Sequence, residues 1–177
     1  MEVKMKKRLS SIGLCVALLV GAATLSGCNL SDEQVKVIAQ NTGLAAAITW
    51  ISYDAPDADA KAFVAAALDI VVSNVANVQA GQTYTQVVYP KIEDFIRSPA
   101  VPDQYEPIVL AGSGAALNGL DLLLVTNPAW KDTEGLVLDV VTSFVTGAKI
   151  GLSLDDNDPR IKQALQYRDI RAKAYKK

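Results

Sequence analysis

Ser31 and Gln34, and again Thr83 and Gln86, stand three residues apart at the head of apolar-periodic runs. At that spacing the hydroxyl accepts from the backbone N–H three residues on, and the glutamine reaches back to the cap's own N–H. Two such signals commit two stretches to helix and fix where each begins. The first run places Val35, Ile38, Ala39, Leu44, Ile48 and Ile51 on one face and predicts a helix to near Tyr53. Asp54-Ala55-Pro56-Asp57 is a stop and restart. Pro56 suits a first helical turn, and Asp57 and Asp59 favour the positive end of a helix dipole. The second helix is expected to run to near Gln79, with Gly81 ending it.

The third helix is expected from Tyr84 to Arg97, kinked or split at Pro90. Ser98-Pro99-Ala100-Val101-Pro102 reads as an internal connector, and a fourth helix follows from Asp103 to Thr126, with Pro107 tolerable in its first turn. Gly112, Gly114, Ala115, Ala116 and Gly119 form a small-residue stretch that a neighbouring helix can approach closely. Asn127-Pro128 stops that helix. The fifth should run from near Asp132-Thr133 to Leu152, and the last should start at Asp158-Pro159 and continue to the C-terminus. No alternating strand pattern and no hairpin dipeptide occurs. The expected fold is all-α, a single bundle of six helices within residues 31–177.

The first 27 residues read differently. Lys4, Lys6, Lys7 and Arg8 against Glu2 make a basic segment held on the cytoplasmic side of a membrane. An uncharged apolar run from Leu9 to Thr24 follows, and then Leu25-Ser26-Gly27-Cys28. This stretch resembles the lipobox of bacterial lipoproteins, and the resemblance covers residues 1–28. It implies that Leu25, Ser26 and Gly27 are recognised by the signal peptidase, which cuts before Cys28. It also implies a thioether from the Cys28 thiol to a diacylglycerol and an N-acyl chain on the freed amine. Cys15 follows bulky Leu14 inside the apolar run and does not match. An ordinary secretory signal with a chance cysteine, or an uncleaved signal anchor, are the readings displaced. In lipoproteins of enteric type the next residue directs sorting. Asn29 implies the outer membrane, periplasmic face; the inner membrane, periplasmic face, is the alternative. Residues 28–30 are then the lipidated terminus and a short tether, which holds the domain close to the membrane.

Cleavage would leave 150 residues, enough for one domain with a real core. Cys28 would be their only cysteine, so no disulfide could form within the chain and stability must come from packing. Residues 1–27 hold four of the 17 Lys and Arg but one of the 19 Asp and Glu. The remainder therefore carries 13 basic and 18 acidic side chains, a net charge of −5. The basic ones crowd the tail, where Arg160, Lys162, Arg168, Arg171, Lys173, Lys176 and Lys177 face Asp169 alone. Such a helix could bind an anionic surface, or it could be a solvated terminal helix whose charges suit its own dipole. Nucleic acid is not an expected partner, because export removes the chain from the cytoplasm.

The chain contains no histidine, which removes the commonest general base and the commonest metal ligand. It has no nucleophile elbow, no Gly-rich phosphate loop and no zinc motif. Asp69, Asp121 and Asp139 each interrupt an apolar stretch. If they converged in the core, they could bind a hard cation or carry acid–base chemistry. The preferred reading is a solvated stripe, because Asp69, Ser73 and Asn77 share a face, as do Asp139, Thr142, Ser143 and Thr146. Asp155-Asp156-Asn157-Asp158 lacks the glycine and distal glutamate of a calcium loop and reads as a capped turn. Trp50 and Trp130 are expected as core or rim aromatics. Residues 108–126 and 136–152 approach membrane-spanning length, but their polar residues, glycines and amphipathic faces favour a soluble bundle.

The expected function is that of a lipid-anchored cell-envelope protein, non-catalytic, with a structural or protein-interaction role and a protein partner in the envelope. No cofactor beyond the covalent lipid is expected. The alternatives are an envelope modifier of the superinfection-exclusion type, encoded by a phage or mobile element, and a hydrolase working through two carboxylates.

Overall fold

The computed structural model describes residues 30–78, 82–126 and 136–174. They form six α-helices: α1 (Asp32–Asp54), α2 (Ala58–Ser73), α3 (Tyr84–Ile96), α4 (Glu106–Thr126), α5 (Leu136–Leu152) and α6 (Pro159–Ala174). Two single 3-10 turns, Val75–Asn77 and Asp103–Tyr105, complete the elements, and no strand occurs among the described residues. Both capping boxes form. The Gln34 and Gln86 amides donate to the Ser31 and Thr83 hydroxyls at 3.4 and 3.1 Å. The Ser31 and Thr83 amides donate to the glutamine side chains at 2.9 and 3.0 Å.

Two boundaries differ from the sequence reading, and a third helix keeps its expected span. Ala55 closes α1 in the left-handed region at φ 45, its N–H on the Ile51 carbonyl, so Pro56 precedes the N-cap Asp57 and is not in the first turn. α2 stops at Ser73, short of Gln79. There the Ser73 hydroxyl and the Asn74 side-chain Nδ2 both donate to the Ile70 carbonyl, and side chains of this kind compete with the helix ladder. α3 runs through Pro90 unsplit. The ring is exposed, while Val88, Ile92 and Ile96 are buried and hold the helix on the core across the missing hydrogen bond. The expected starts and stops at Gly81, Pro128 and Asp132-Thr133 lie outside the described residues.

Helices α1 and α2 are consecutive, yet they lie across the bundle from each other. α5 and α4 fill the two positions between them, α3 packs on α2 and α4, and α6 packs on α1. α1 and α5 make the most extensive contact and run parallel. Lys36 pairs with Asp139 at 3.0 Å near their starts, and Gly151 abuts Ala47 and the Leu44 carbonyl further along. α2 opposes α5, since Asp69 meets Lys149 while Lys61, nearer the start of α2, meets Asp156 beyond the end of α5. α3 and α4 are an antiparallel hairpin, with Tyr84 against Asp121 and Arg97 against Glu106.

The approach of α1 to α5 depends on glycine. A methyl group on Gly147 would fall on the Gln40 carbonyl, and one on Gly43 on the Phe144 carbonyl. The small-residue stretch of α4 is used differently: Gly112 lies under the Trp50 ring and beside Val64. Trp50 is thus a core residue, with Phe144, Leu68, Ile92, Leu117, Leu120, Leu123 and Ile161 among the other fully buried side chains. Among the described residues one helix, Asp103–Val125, is long and apolar enough to cross a membrane. Most of that window is buried within the bundle, as the central helix of a packed domain would be.

Candidate functional site

Cys28, with Leu25, Ser26, Gly27 and Asn29, lies outside the described residues. The chain enters the described part at Leu30, which packs against the core, and Ser31 caps α1 immediately afterwards. Leu30, two residues after Cys28 in sequence, is thus part of the folded body.

Asp69, Asp121 and Asp139 are not brought together. Asp69 pairs with Lys149 at 2.5 Å, tying α2 to α5. Asp139 pairs with Lys36, tying α5 to α1, and holds the lysine's pKa above its ordinary value, with Glu33 adding to the effect. Asp121 has a different task. Its two carboxylate oxygens accept from the Tyr84 and Thr85 amides at 2.6 and 2.9 Å. Those are the first two N–H groups of α3, which have no partner within the helix. With Thr83 on the Gln86 amide, three orphan donors are satisfied. A carboxylate at a helix N-terminus also faces the favourable end of the dipole. Most of the stripe faces solvent: Asp69, Ser73, Asn77, Asp139, Thr142 and Thr146 are exposed, while Asp121 and Ser143 are partly buried. Among the described residues, no group of three or more His, Cys, Asp or Glu side chains could hold a metal ion.

The acidic turn is committed internally as well. Asp155 accepts from the Asn157 amide at 2.7 Å, and Asp156 pairs with Lys61 at 3.1 Å. Asp158 takes the Arg160 amide and both arms of its guanidinium, which hold the carboxyl well down, at about 2. In the basic helix, Arg168 donates to the Ser52 carbonyl at 2.7 Å, capping the last turn of α1, and pairs with Asp169.

An open groove of about 550 Å³ lies between the start of α2 and the end of α5. Ala58, Ala62, Ala65, Leu152 and Leu154 give it apolar walls, and Lys61, Lys149, Asp57 and Asp156 surround them. Each of these charges already has a partner in the fold: Asp57 accepts from the Ala60 amide at 2.8 Å and from the Tyr105 hydroxyl at 3.3 Å. The Ser153 hydroxyl donates to the Ile150 carbonyl at 2.8 Å. The groove can accept an apolar side chain, and it presents no nucleophile activated by a base.

Three buried polar atoms were not anticipated from the sequence: Trp50 Nε1, the Tyr84 hydroxyl and Ser113 Oγ make no hydrogen bond among the described residues. Burial first, and the Asp121 charge second, push the Tyr84 phenol up to about 12. Nothing in a single sequence marks which hydroxyl a bundle will strand.

These features define a small all-helical bundle whose polar side chains are spent on capping and tying helices. No family model matches the chain, and no curated protein or solved structure does.

Proposed function

We propose that the chain is a lipid-anchored protein of the cell envelope, held through Cys28 and acting by structure or protein contact rather than catalysis. The observation that carries this reading is the position of Leu30. Leu30 packs against the core only two residues after the lipobox-like Leu25-Ser26-Gly27-Cys28, so an acylated Cys28 would join the bundle to the bilayer through a very short linker. The internal commitment of the polar residues around the groove supports a contact role. Two or three acyl chains give durable attachment, since each buried methylene contributes about 0.8 kcal/mol and one chain alone binds marginally.

The location follows from the same resemblance: Asn29 directs the protein to the outer membrane, periplasmic face. In an enteric host, gradient fractionation should place the wild type with outer-membrane markers, and Asn29→Asp should shift it to the inner membrane. Wild type banding with inner-membrane markers would remove the outer-membrane assignment. Wild type and Cys28→Ala both recovered in the soluble periplasmic fraction would remove the anchor.

A further inference from the structure

α1 is apolar on two sides, and the bundle uses one of them. Val35, Ala39, Ala46 and Trp50 are in the core. Gln40, Gly43 and Ala47 lie against Gly147, Phe144 and Gly151 of α5. A further row of the same helix lies outside both contacts. Gln34, Val37, Asn41, Leu44 and Ile48 follow one another at alternating steps of three and four, the a and d spacing of a heptad. At 3.6 residues per turn they fall within one sector of about 80°, nearly opposite the core row. Gln34, Val37 and Asn41 are exposed, Val37 by 54%. Leu44 and Ile48, which periodicity places with the core, are half-buried. Ile150, 39% exposed, borders the row, since Gly151 beside it lies against Leu44.

From Val37 to Tyr53 the helix carries no charged side chain. An outward helix face is ordinarily charged, and a helix apolar on both sides is ordinarily covered on both. The outer face of α5 follows the usual pattern, with Asp139, Thr142 and Thr146 exposed. The occupant of the α1 row is set by self-complementarity. A two-fold pair brings each residue of such a row near its own equivalent. The Gln34 and Asn41 amides both donate and accept, so each can bond its own kind. Val37, Leu44 and Ile48 would meet apolar equivalents, and no like charges would be opposed. The flanking charges Glu33 and Lys36 pair with each other at 3.4 Å, and Lys36 also pairs with Asp139. A charged partner would find nothing in the row to bind.

We propose that α1 pairs through this row with α1 of a second copy, parallel and in register, so that Asn41 faces Asn41 of the partner subunit. The parallel sense rests on the anchoring proposed above, because two copies tethered to one bilayer just before α1 start that helix at the same level. A lone asparagine at such a seam fixes register and favours two strands. The row covers two heptads, fewer than the three or four that mark a coiled coil by themselves. Pairing therefore depends on confinement to the membrane, which raises the effective concentration of one copy around another.

The test uses the full-length, processed protein in vesicles of phosphatidylethanolamine and phosphatidylglycerol. Cysteines are introduced singly at Val37 and Asn41, and for comparison at Asp94 and Gln163, which are exposed on α3 and α6. Copper phenanthroline oxidises the thiols, and flotation of the same samples reports attachment. Val37→Cys and Asn41→Cys should form disulfide-linked dimers several-fold faster than Asp94→Cys and Gln163→Cys. Adding Asn41→Lys to Val37→Cys opposes like charges across the seam. It should lower the rate to that of the comparison sites, with flotation and helical circular dichroism unchanged. Floating protein in which all four sites cross-link alike, or in which Asn41→Lys changes nothing, would overturn the pairing and leave the anchor standing. Protein that fails to float would overturn the anchor and the parallel pairing with it.

Discussion

A carboxylate's worth in this bundle depends on what it faces, not on how apolar its neighbours in sequence are. Asp69 and Asp139, themselves half or more exposed, pair with lysines that are about one-third exposed, and such surface pairs contribute about 0–1 kcal/mol. Asp121 accepts two charge-assisted bonds from amides with no other partner in their own helix, an arrangement worth about 1.5–3 kcal/mol. In denaturant melts of residues 29–177, Asp121→Ala should therefore cost clearly more than Asp69→Ala or Asp139→Ala. Equal losses at the three positions would refute the capping role. Tyr84 gives a second test. Its phenol is held neutral by burial, with a pKa of about 12. Its contribution is complete below the ordinary tyrosine value, about 10, and is lost as pH rises through about 12. An alkaline titration followed by phenolate absorbance should show Tyr84 ionising last among the six tyrosines, after Tyr89 and Tyr105, whose phenols are also raised. In Tyr84→Phe that late step should vanish, with stability unchanged or raised by up to about 1 kcal/mol, because the buried hydroxyl has no partner to lose. The solvated character of Asp69 and Asp139 was legible from spacing, whereas Asp121 is partly buried as a cap of α3. Their partners were not, because Lys36, Lys149 and the start of α3 belong to other helices.

Element boundaries were legible where side chains set them locally. Both capping boxes form as spaced, and Asp158-Pro159 opens α6. The misses fall where a local cap or side-chain bond decides: α2 ends early at Ser73 and Asn74, and Pro56 stands before the N-cap Asp57. The close approach of α1 and α5 was also missed, although the spacing Gly147-Ala148-Lys149-Ile150-Gly151 puts two glycines on one helix face. Spacing marks such a face without naming the helix that meets it. Gly147→Ala places a methyl group on the Gln40 carbonyl and should destabilise the bundle by about 1–3 kcal/mol. At Gly114 the nearest atom to an added methyl is Tyr89 Cε2 at 3.5 Å, an ordinary contact. Gly114→Ala should therefore stabilise by up to about 1 kcal/mol through helix propensity. Thermal melts of the two variants should move in opposite directions. A shift of the same sign in both would mean that α1 and α5 do not approach through glycine.

Among the described residues, six helices close into a bundle, and those residues gather no metal-binding cluster. The class of fold was legible from periodicity and stops, but the order of helices around the bundle was not. α1 pairs with α5 rather than with α2, and no local signal encodes a partner that distant in sequence. The groove was illegible for the same reason, since it is assembled from the start of α2 and the end of α5. The central claim, attachment through Cys28, is tested most directly by mass spectrometry of the N-terminal peptide of the protein purified from membranes. The expected peptide begins at Cys28 and carries the mass of a diacylglycerol thioether, with an N-acyl chain where the host adds one. A mature terminus at any other residue, or an unmodified Cys28, would contradict it.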